Sequence, residues 1–317
     1  MNTPDTAVLL MAYGTPRHPD EIEPYYTDIR RGRPPTPEAL ADLTARYAAI
    51  GGVSPLAQLT EAQRDALQAA LDGAEPGRFH VALGLKHADP KVEVAAAELA
   101  GAGFSTIVGL VLAPHYSSYS IGQYLDRTRQ GVADSGRDTD VNGIESWAVE
   151  PAFVTFLADD LRTRLRAMRE RTGGRVRVLF TAHSLPQRII DAGDPYPDEL
   201  RATAEAVAAE VGLVEGDDWQ IAWQSAGRTP EPWIGPDILE VIDSLGDPDD
   251  RDVSGVSVSA CGFVADHLEV LFDLDIEAAE RAGANGLAFD RTACVNDDPA
   301  IMAALADRVI AAVSAGS

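Results

Sequence analysis

Short apolar runs alternate along this chain with longer segments of helical period. Thr6–Met11 (TAVLLM) reads as a first strand, His80–Leu85 as a second, and Thr106–Leu112 (TIVGLVL) as a continuous apolar strand buried on both faces. Between them, Asp20–Arg31, Pro37–Ala49, Thr60–Leu71 and Pro90–Ala100 carry helical patterns. The first of these has acids at its start and Arg30 and Arg31 at its end, as the helix dipole favours. Gly32–Pro37 is a Pro-rich breaker, and Gly51-Gly52 ends the second helix. The second half repeats the alternation. Helices at Pro151–Arg169, Asp198–Val211 and Pro236–Leu245 interleave with strands at Val176–Phe180, Gln220–Gln224 and from Val253 onward. Gly286–Phe289 fits a last short strand, and Pro299–Val313 a closing helix. This alternation predicts an α/β fold with parallel sheets flanked by helices. The polar, Gly-containing stretch Asp134–Gly143 suits a linker. The expected domains are therefore 1–143 and 144–298, with the helix over 299–313 returning to pack on the first.

The segment after the Val253 strand changes the picture. A helix pattern starts near Asp266, and Asp266, Glu269, Asp273 and Glu277 follow at three- or four-residue spacing. On a continuous α-helix they form a ladder of carboxylates along one face, with His267 near its top. A solvated acidic face is the plain reading of such a row. Its position just past a parallel strand, where open α/β sheets place ligands, favours a path for divalent cations or protons.

Composition narrows the options. The net charge is −24 over 317 residues, which repels nucleic acid and argues against DNA or RNA binding. No apolar run reaches the ~18 residues of a membrane span, and the N-terminus lacks a basic leader. A cytoplasmic protein without stable membrane insertion is expected. Two cysteines, Cys261 and Cys294, cannot supply a four-cysteine metal or iron–sulfur site. The only lysines are Lys86 and Lys91. No Gly-rich dinucleotide or P-loop fingerprint is present.

Chemistry-bearing residues gather at four strand ends: Tyr13 (MAYGTP), His115 with Tyr116 and Tyr119, His183 (LFTAHSLP), and Trp223-Gln224-Ser225. A lone histidine at a strand end is ordinarily structural. Imidazole is also suited to metal binding and proton transfer near neutral pH. His183 and Glu269 follow strands of the same half and could share one site. His18, His80 and His87 read as surface or structural residues.

LFTAHSLP, WQSAGRTPEPWIGPD and GFVADHLEVLFDLD resemble the signature segments of ferrochelatases, as do MAYGTP, YYTDIRRGR and RYAAIGGVSPL. They run in the family's order from about Val8 to about Asp298, and the N-terminal segments most resemble the coproporphyrin ferrochelatases of Gram-positive-type bacteria. The resemblance implies two similar Rossmann-like domains of the chelatase fold with a porphyrin cleft between them. It implies insertion of Fe²⁺ into coproporphyrin III in haem biosynthesis. Protoporphyrin IX is the rival substrate, a non-catalytic haem carrier the rival role, and cobalt or zinc a rival metal. His183 and Glu269 match the family's catalytic histidine and glutamate, with Asp273 and Glu277 as further rungs for metal or protons. Tyr13 would be axial to the product iron. Arg30, Arg46, Tyr47, Ser54 and Tyr124 match its substrate contacts, to which the residue types add Tyr26 and Arg31. Cys261 stands where the family commonly has proline, and a small backbone adjustment is expected. No cofactor and no iron–sulfur cluster is expected, since no cysteine follows Cys294. A monomer is expected.

Overall fold

In the computed structural model, residues 5–227, 229–246 and 253–315 are described. The chain forms two units. Unit 1 comprises residues 1–147, 265–267 and 296–317, and unit 2 comprises 148–264 and 268–295.

Unit 1 opens with β1 (Thr6–Ala12), every residue of which is buried. Then come α1 (Ile22–Ile29), α2 (Pro37–Ala49), α3 (Leu56–Ala74), β2 (Phe79–Leu85), α4 (Val92–Gly101), β3 (Thr106–Val111), α5 (Gln123–Ser135) and β4 (Asp140–Ile144). The sheet runs β2-β1-β3-β4 and is parallel throughout. Leu9, Met11, Ile107 and Val111 project from it onto Val92, Ala96, Leu99 and Leu125 of α4 and α5. A strand buried on both faces needs an apolar side chain at every position, which is why TAVLLM shows no alternation.

Unit 2 holds α6 (Pro151–Thr172), β5 (Arg175–His183), α7 (Gln187–Asp191), α8 (Tyr196–Val211), β6 (Trp219–Gln224), α9 (Ile238–Leu245), β7 (Val253–Ser259), α10 (Leu268–Leu271), α11 (Ala279–Ala284) and β8 (Ala288–Arg291). Its sheet is also parallel and runs β6-β5-β7-β8. The second core gathers Leu179, Val256 and Val258 with Val241, Ile242, Val270 and Leu274. Each sheet therefore places its strands in the order second, first, third, fourth. The crossover direction reverses beside the first strand, the switch point at which such sheets bind ligands.

Start signals explain the boundaries. The Thr36 hydroxyl accepts from the Ala39 N–H, with Pro37 at the first helical position of α2. Asp237 and Glu240 form a reciprocal capping box on α9. The closing helix α12 (Pro299–Ala315) packs against α3, β3 and β4 of unit 1.

Three expectations change. The stretch expected as a linker, 134–143, instead contains the end of α5 and most of β4. The unit boundary falls at Trp147. The helix expected from Asp20 begins as a 3₁₀ turn at Pro19–Glu21 and turns α-helical at Ile22. The acidic segment is not one α-helix: α10 is a single turn, and Asp273–Ala278 is π-helical, with the Glu277 N–H reaching the Phe272 carbonyl at 2.9 Å. A π turn has an i→i+5 bond and more than four residues per turn, so the row does not keep the regular α-helical spacing expected for it. Asp266 and Asn296, both in unit 1, exchange hydrogen bonds of 3.0 Å, and Asp266 precedes the first helical turn at Leu268.

Candidate active site

His183 closes β5, opposite Gln224 of β6 in register. Three contacts hold this strand end. Its carbonyl accepts from the Tyr196 hydroxyl at 3.1 Å. The Gly262 N–H reaches the Thr181 carbonyl at 2.9 Å. A Cβ on Gly262 would fall 2.3 Å from Ala182 Cβ, so only glycine lets the chain after β7 pass so close. The imidazole Nδ1 donates to the Ser184 carbonyl at 2.5 Å. That bond assigns the proton to Nδ1 and leaves the Nε2 lone pair available. Nε2 faces Glu269 Oε1 at 3.6 Å, and both side chains are 35% exposed. The Trp233 ring lies tilted 6.3 Å from the imidazole.

Glu269 sits in the single turn of α10, and its carbonyl accepts from Gln224 Nε2 at 3.0 Å. Asp273 is 6% exposed, and its carboxylate accepts from the Ser225 hydroxyl at 2.5 Å. Glu277 is half-buried on the π turn. The structure pairs His183 with Glu269 and directs Asp273 to Ser225. Among the described residues, no three His, Cys, Asp or Glu side chains form a group that could hold a metal ion. The pair His183 and Glu269 stands together as expected, with Asp273 and Glu277 further along the same segment.

Cys261 is fully buried, with its thiol 3.8 Å from the Thr181 carbonyl. Burial pushes this thiol up to about 12. Such a group is inert as a nucleophile at neutral pH.

The ligand-facing loops of unit 1 carry a different chemistry. Tyr13 follows β1, is 44% exposed, and lies with its ring 4.6 Å from that of His87. Gly14 has φ +85°, and a Cβ there would lie 2.8 Å from Ala88 Cβ, so the MAYGTP turn fits against the 86–91 loop only as glycine. The Tyr25 hydroxyl donates to the Gly14 carbonyl at 3.2 Å. His87 Nδ1 meets Asp28 at 2.7 Å, and Lys91 Nζ reaches the same carboxylate at 3.0 Å. Burial lowers the pKa of His87 more than its Asp28 bond raises it. The ring is thus a neutral donor to Asp28. For Asp28, burial works upward, but the bonds from His87 and Lys91 prevail and hold it below the usual carboxylate range. Lys86 Nζ stands 5.2 Å over the Tyr124 ring, a cation–π distance. Burial, with the charges of Arg127 and Arg31, pushes Lys86 down to about 8.

The expected porphyrin contacts divide by burial. Arg30 lies 5.7 Å from the half-buried Tyr26 ring and donates to the Arg33 carbonyl at 3.3 Å. Arg31 takes φ 56° just past α1, outside the helical region. Arg46 sits 3.6 Å from Asp42 one turn earlier on α2. Tyr47, Ser54 and Tyr124 are at most 5% exposed. The Tyr47 hydroxyl lies 3.3 Å from that of Thr15, bracing the loop after Tyr13. Ser54 Oγ accepts from the Leu56 N–H at 3.2 Å, at the start of α3. Burial raises the pKa of the Tyr124 hydroxyl far above its ordinary value, and its ring supports the Lys86 amine. In this state these three side chains shape the loops from beneath.

Asp28, Lys86, His87 and Lys91 were missed from sequence, and His87 was read as structural. The available signal was the lysines, because a chain that uses arginine almost everywhere keeps its two lysines on this one loop. Unit 2 thus joins a directed imidazole lone pair to a carboxylate, which can take up protons and ligate a transition metal. Unit 1 joins cations to aromatic rings, which suits a carboxylate-bearing aromatic ligand.

Comparison with known proteins bears on both. The ferrochelatase family profile matches residues 5–313. Ferrochelatase of Herpetosiphon aurantiacus is 42% identical over 297 residues, covering 94% of this chain and 95% of that protein. Coproporphyrin III ferrochelatase of Geobacillus kaustophilus is 42% identical over 304 residues, covering 96% and 94%. Among solved structures, SirB from Bacillus subtilis with Fe³⁺ aligns with a TM-score of 0.54 at 12% identity over 97% of this chain and 95% of that one, a likeness of fold.

Proposed function

The chain belongs to the ferrochelatase family, and on that premise we propose that it inserts Fe²⁺ into coproporphyrin III with release of two protons. The observation that carries this reading is the pair in unit 2: His183 Nε2 faces Glu269 Oε1 at 3.6 Å while Nδ1 is committed to a backbone carbonyl. A porphyrin takes up a dication only after its two pyrrole N–H protons leave, so the reaction needs a base beside the ring. His183 accepts at Nε2, and Glu269 stabilises the imidazolium that forms. Imidazole and carboxylate both suit Fe²⁺ and hold the arriving ion, and as the ion leaves Nε2 for the ring nitrogens the freed lone pair takes up a pyrrole proton. Two protein donors hold a substrate metal loosely enough to release it. Asp273 and Glu277 continue the acidic row and accept the departing protons or the hydrated ion.

Unit 1 supplies recognition. Arg30 and Arg46 pair with propionates through the guanidinium fork, and Arg31 adds charge beside them. Tyr26 offers a ring face, and Tyr13 is the axial ligand to the product iron. Tyr47, Ser54 and Tyr124 hold the loops that carry these groups. The choice of coproporphyrin III rests on the relatives bearing that name and on the density of cations in unit 1, which suits four propionates better than two.

We further propose a cytoplasmic monomer that works without an iron–sulfur cluster. No helix among the described residues is long and apolar enough to cross a membrane. Both cysteines are buried free thiols, and such clusters need four sulfur or imidazole ligands. A net charge of −24 speaks against nucleic-acid partners.

Anaerobic initial rates with Fe²⁺ and each porphyrin test the substrate. Coproporphyrin III is expected to exceed protoporphyrin IX in kcat/KM by at least ~10-fold, about 1.4 kcal/mol of transition-state binding. Equal values, or a preference for protoporphyrin IX, contradict the assignment. Binding of both porphyrins without metal insertion contradicts the enzyme reading itself.

A further inference from the structure

The dipeptide Gln224-Ser225 has no part in the chemistry assigned above, yet it touches each part of the unit 2 site. Gln224 is 1% exposed. Its carbonyl accepts from the Ser184 N–H at 2.8 Å, one residue past His183, which stands opposite it across the strands. Its side-chain Nε2 donates to the Glu269 carbonyl at 3.0 Å. The amide orientation follows, because turning Oε1 toward a carbonyl would oppose two acceptors. Oε1 is buried without a hydrogen-bond partner among the described residues. An amide half-satisfied in a buried position is costly, so a full-length apolar side chain would serve packing better. The bond to Glu269 accounts for the amide.

Ser225 continues the pattern. Its φ of 60° lies in the left-handed region, where a non-glycine residue is strained. In that conformation its hydroxyl donates to the buried carboxylate of Asp273. The helix bearing these acids is anchored on its apolar side by Val270, Leu274, Ala278 and Ala282, and on its polar side Gln224 and Ser225 bond to it. α10 is one turn long and runs into a π turn, and a single turn has little stability of its own.

We propose that Gln224 and Ser225 are positioning residues for metal insertion. Gln224 ties the Glu269 backbone to the strand end beside His183, and so sets the separation between imidazole and carboxylate. Ser225 holds the Asp273 carboxylate through its hydroxyl, and so fixes the orientation of the next acid along the segment. The inference rests on the chelatase reading, since without metal insertion the pair has nothing to be positioned for.

The test compares full-length Gln224→Met and Ser225→Gly with wild type and His183→Ala. Methionine keeps the length of glutamine and removes the donor. Glycine removes the hydroxyl and suits a positive φ. Iron is varied at saturating coproporphyrin III, and porphyrin affinity is read separately by fluorescence quenching. Gln224→Met is expected to lose roughly 10- to 100-fold in kcat/KM for Fe²⁺, the usual cost of removing a partner that orients a metal ligand. Its porphyrin Kd should stay within about twofold of wild type, by the same argument. Ser225→Gly is expected to lose roughly 3- to 10-fold on the iron axis alone, at or below that range because Asp273 is a later stage. Iron kinetics within twofold of wild type, or parallel losses of iron and porphyrin parameters, overturn the proposal. If Gln224→Met does not fold, Ser225→Gly decides, and an unchanged iron axis there is the overturning result. His183→Ala separates the two levels. Full activity in that variant defeats the chelatase reading, whereas an inactive His183→Ala beside a wild-type-like Gln224→Met defeats this inference alone.

Discussion

Unit 1 and unit 2 order their four strands identically, second, first, third, fourth, and each sets its distinctive side chain at the end of the first strand. There the likeness stops. Past β1 stands Tyr13, packed on His87, whose loop also carries Lys86 over the Tyr124 ring and Lys91 on Asp28. At the end of β5 stands His183, with Gln224 ending the neighbouring strand, Ser225 just past it, and acids on the helix after β7. The second strand's end makes the difference. Lys86-His87 in unit 1 contributes a cation and a donor, which favours anions. Gln224-Ser225 in unit 2 contributes neutral hydrogen bonds to the segment that carries the acids. One backbone arrangement thus carries cations and aromatic rings at the strand ends of one unit and an imidazole with carboxylates at those of the other.

If that division holds, substitutions in the two units should separate in kinetics. The largest effect after His183 itself is expected at Glu269→Gln. It should lower kcat by about 10²–10³-fold with porphyrin affinity kept, the scale of a lost acid–base partner. Rapid-mixing insertion assays check this, and a change in porphyrin affinity alone would break the comparison. Next, Arg46→Ala should raise the porphyrin KM by about 10-fold and leave kcat within about threefold, the signature of uniform binding. Adding Arg30→Ala should extend that loss. A fall in kcat without a rise in KM would place these arginines in the chemistry instead.

A smaller effect tests the cationic loop through stability. Lys86 is pushed down to about 8 from an ordinary value of 10.5, so below pH 8 the folded chain holds a cation that burial disfavours. Between about pH 8 and 10.5 the folded chain has lost a proton that the unfolded chain keeps, and stability rises with pH across that window. Lys86→Met should therefore be more stable than wild type at pH 7, by about 1–2 kcal/mol, with the gap closing toward pH 10. Denaturant midpoints at the two pH values measure it, and a gap constant with pH would contradict it. The smallest effect is at the thiols. Both cysteines are buried, so the native protein should resist an aromatic disulfide reagent at pH 8 for many minutes and react fully once unfolded.

Sequence pattern reached most of this arrangement. The first strand, α2 and the alternation in both halves follow from apolar runs and capping residues, because a central parallel strand must be apolar throughout. What escaped has physical causes. β4 (DVNGI) is an edge strand, half in solvent, so its polar residues read as a linker. The π turn escaped because DHLEVLFDLDIEAAER satisfies helical spacing whether or not one turn widens. His87 escaped because its partner Asp28 lies 59 residues away, a contact that local pattern cannot show. Tyr47, Ser54 and Tyr124 were found through family resemblance, but their burial depends on packing that residue type does not reveal.

His183→Ala gives the most direct measurement: porphyrin binding by fluorescence quenching and iron insertion by single-turnover absorbance, both on one preparation. The account predicts porphyrin affinity within about twofold of wild type and insertion slowed by at least ~10³-fold, the scale of losing an essential base. Insertion at near wild-type rate, or loss of porphyrin binding together with insertion, would contradict the assignment of metal and proton chemistry to unit 2.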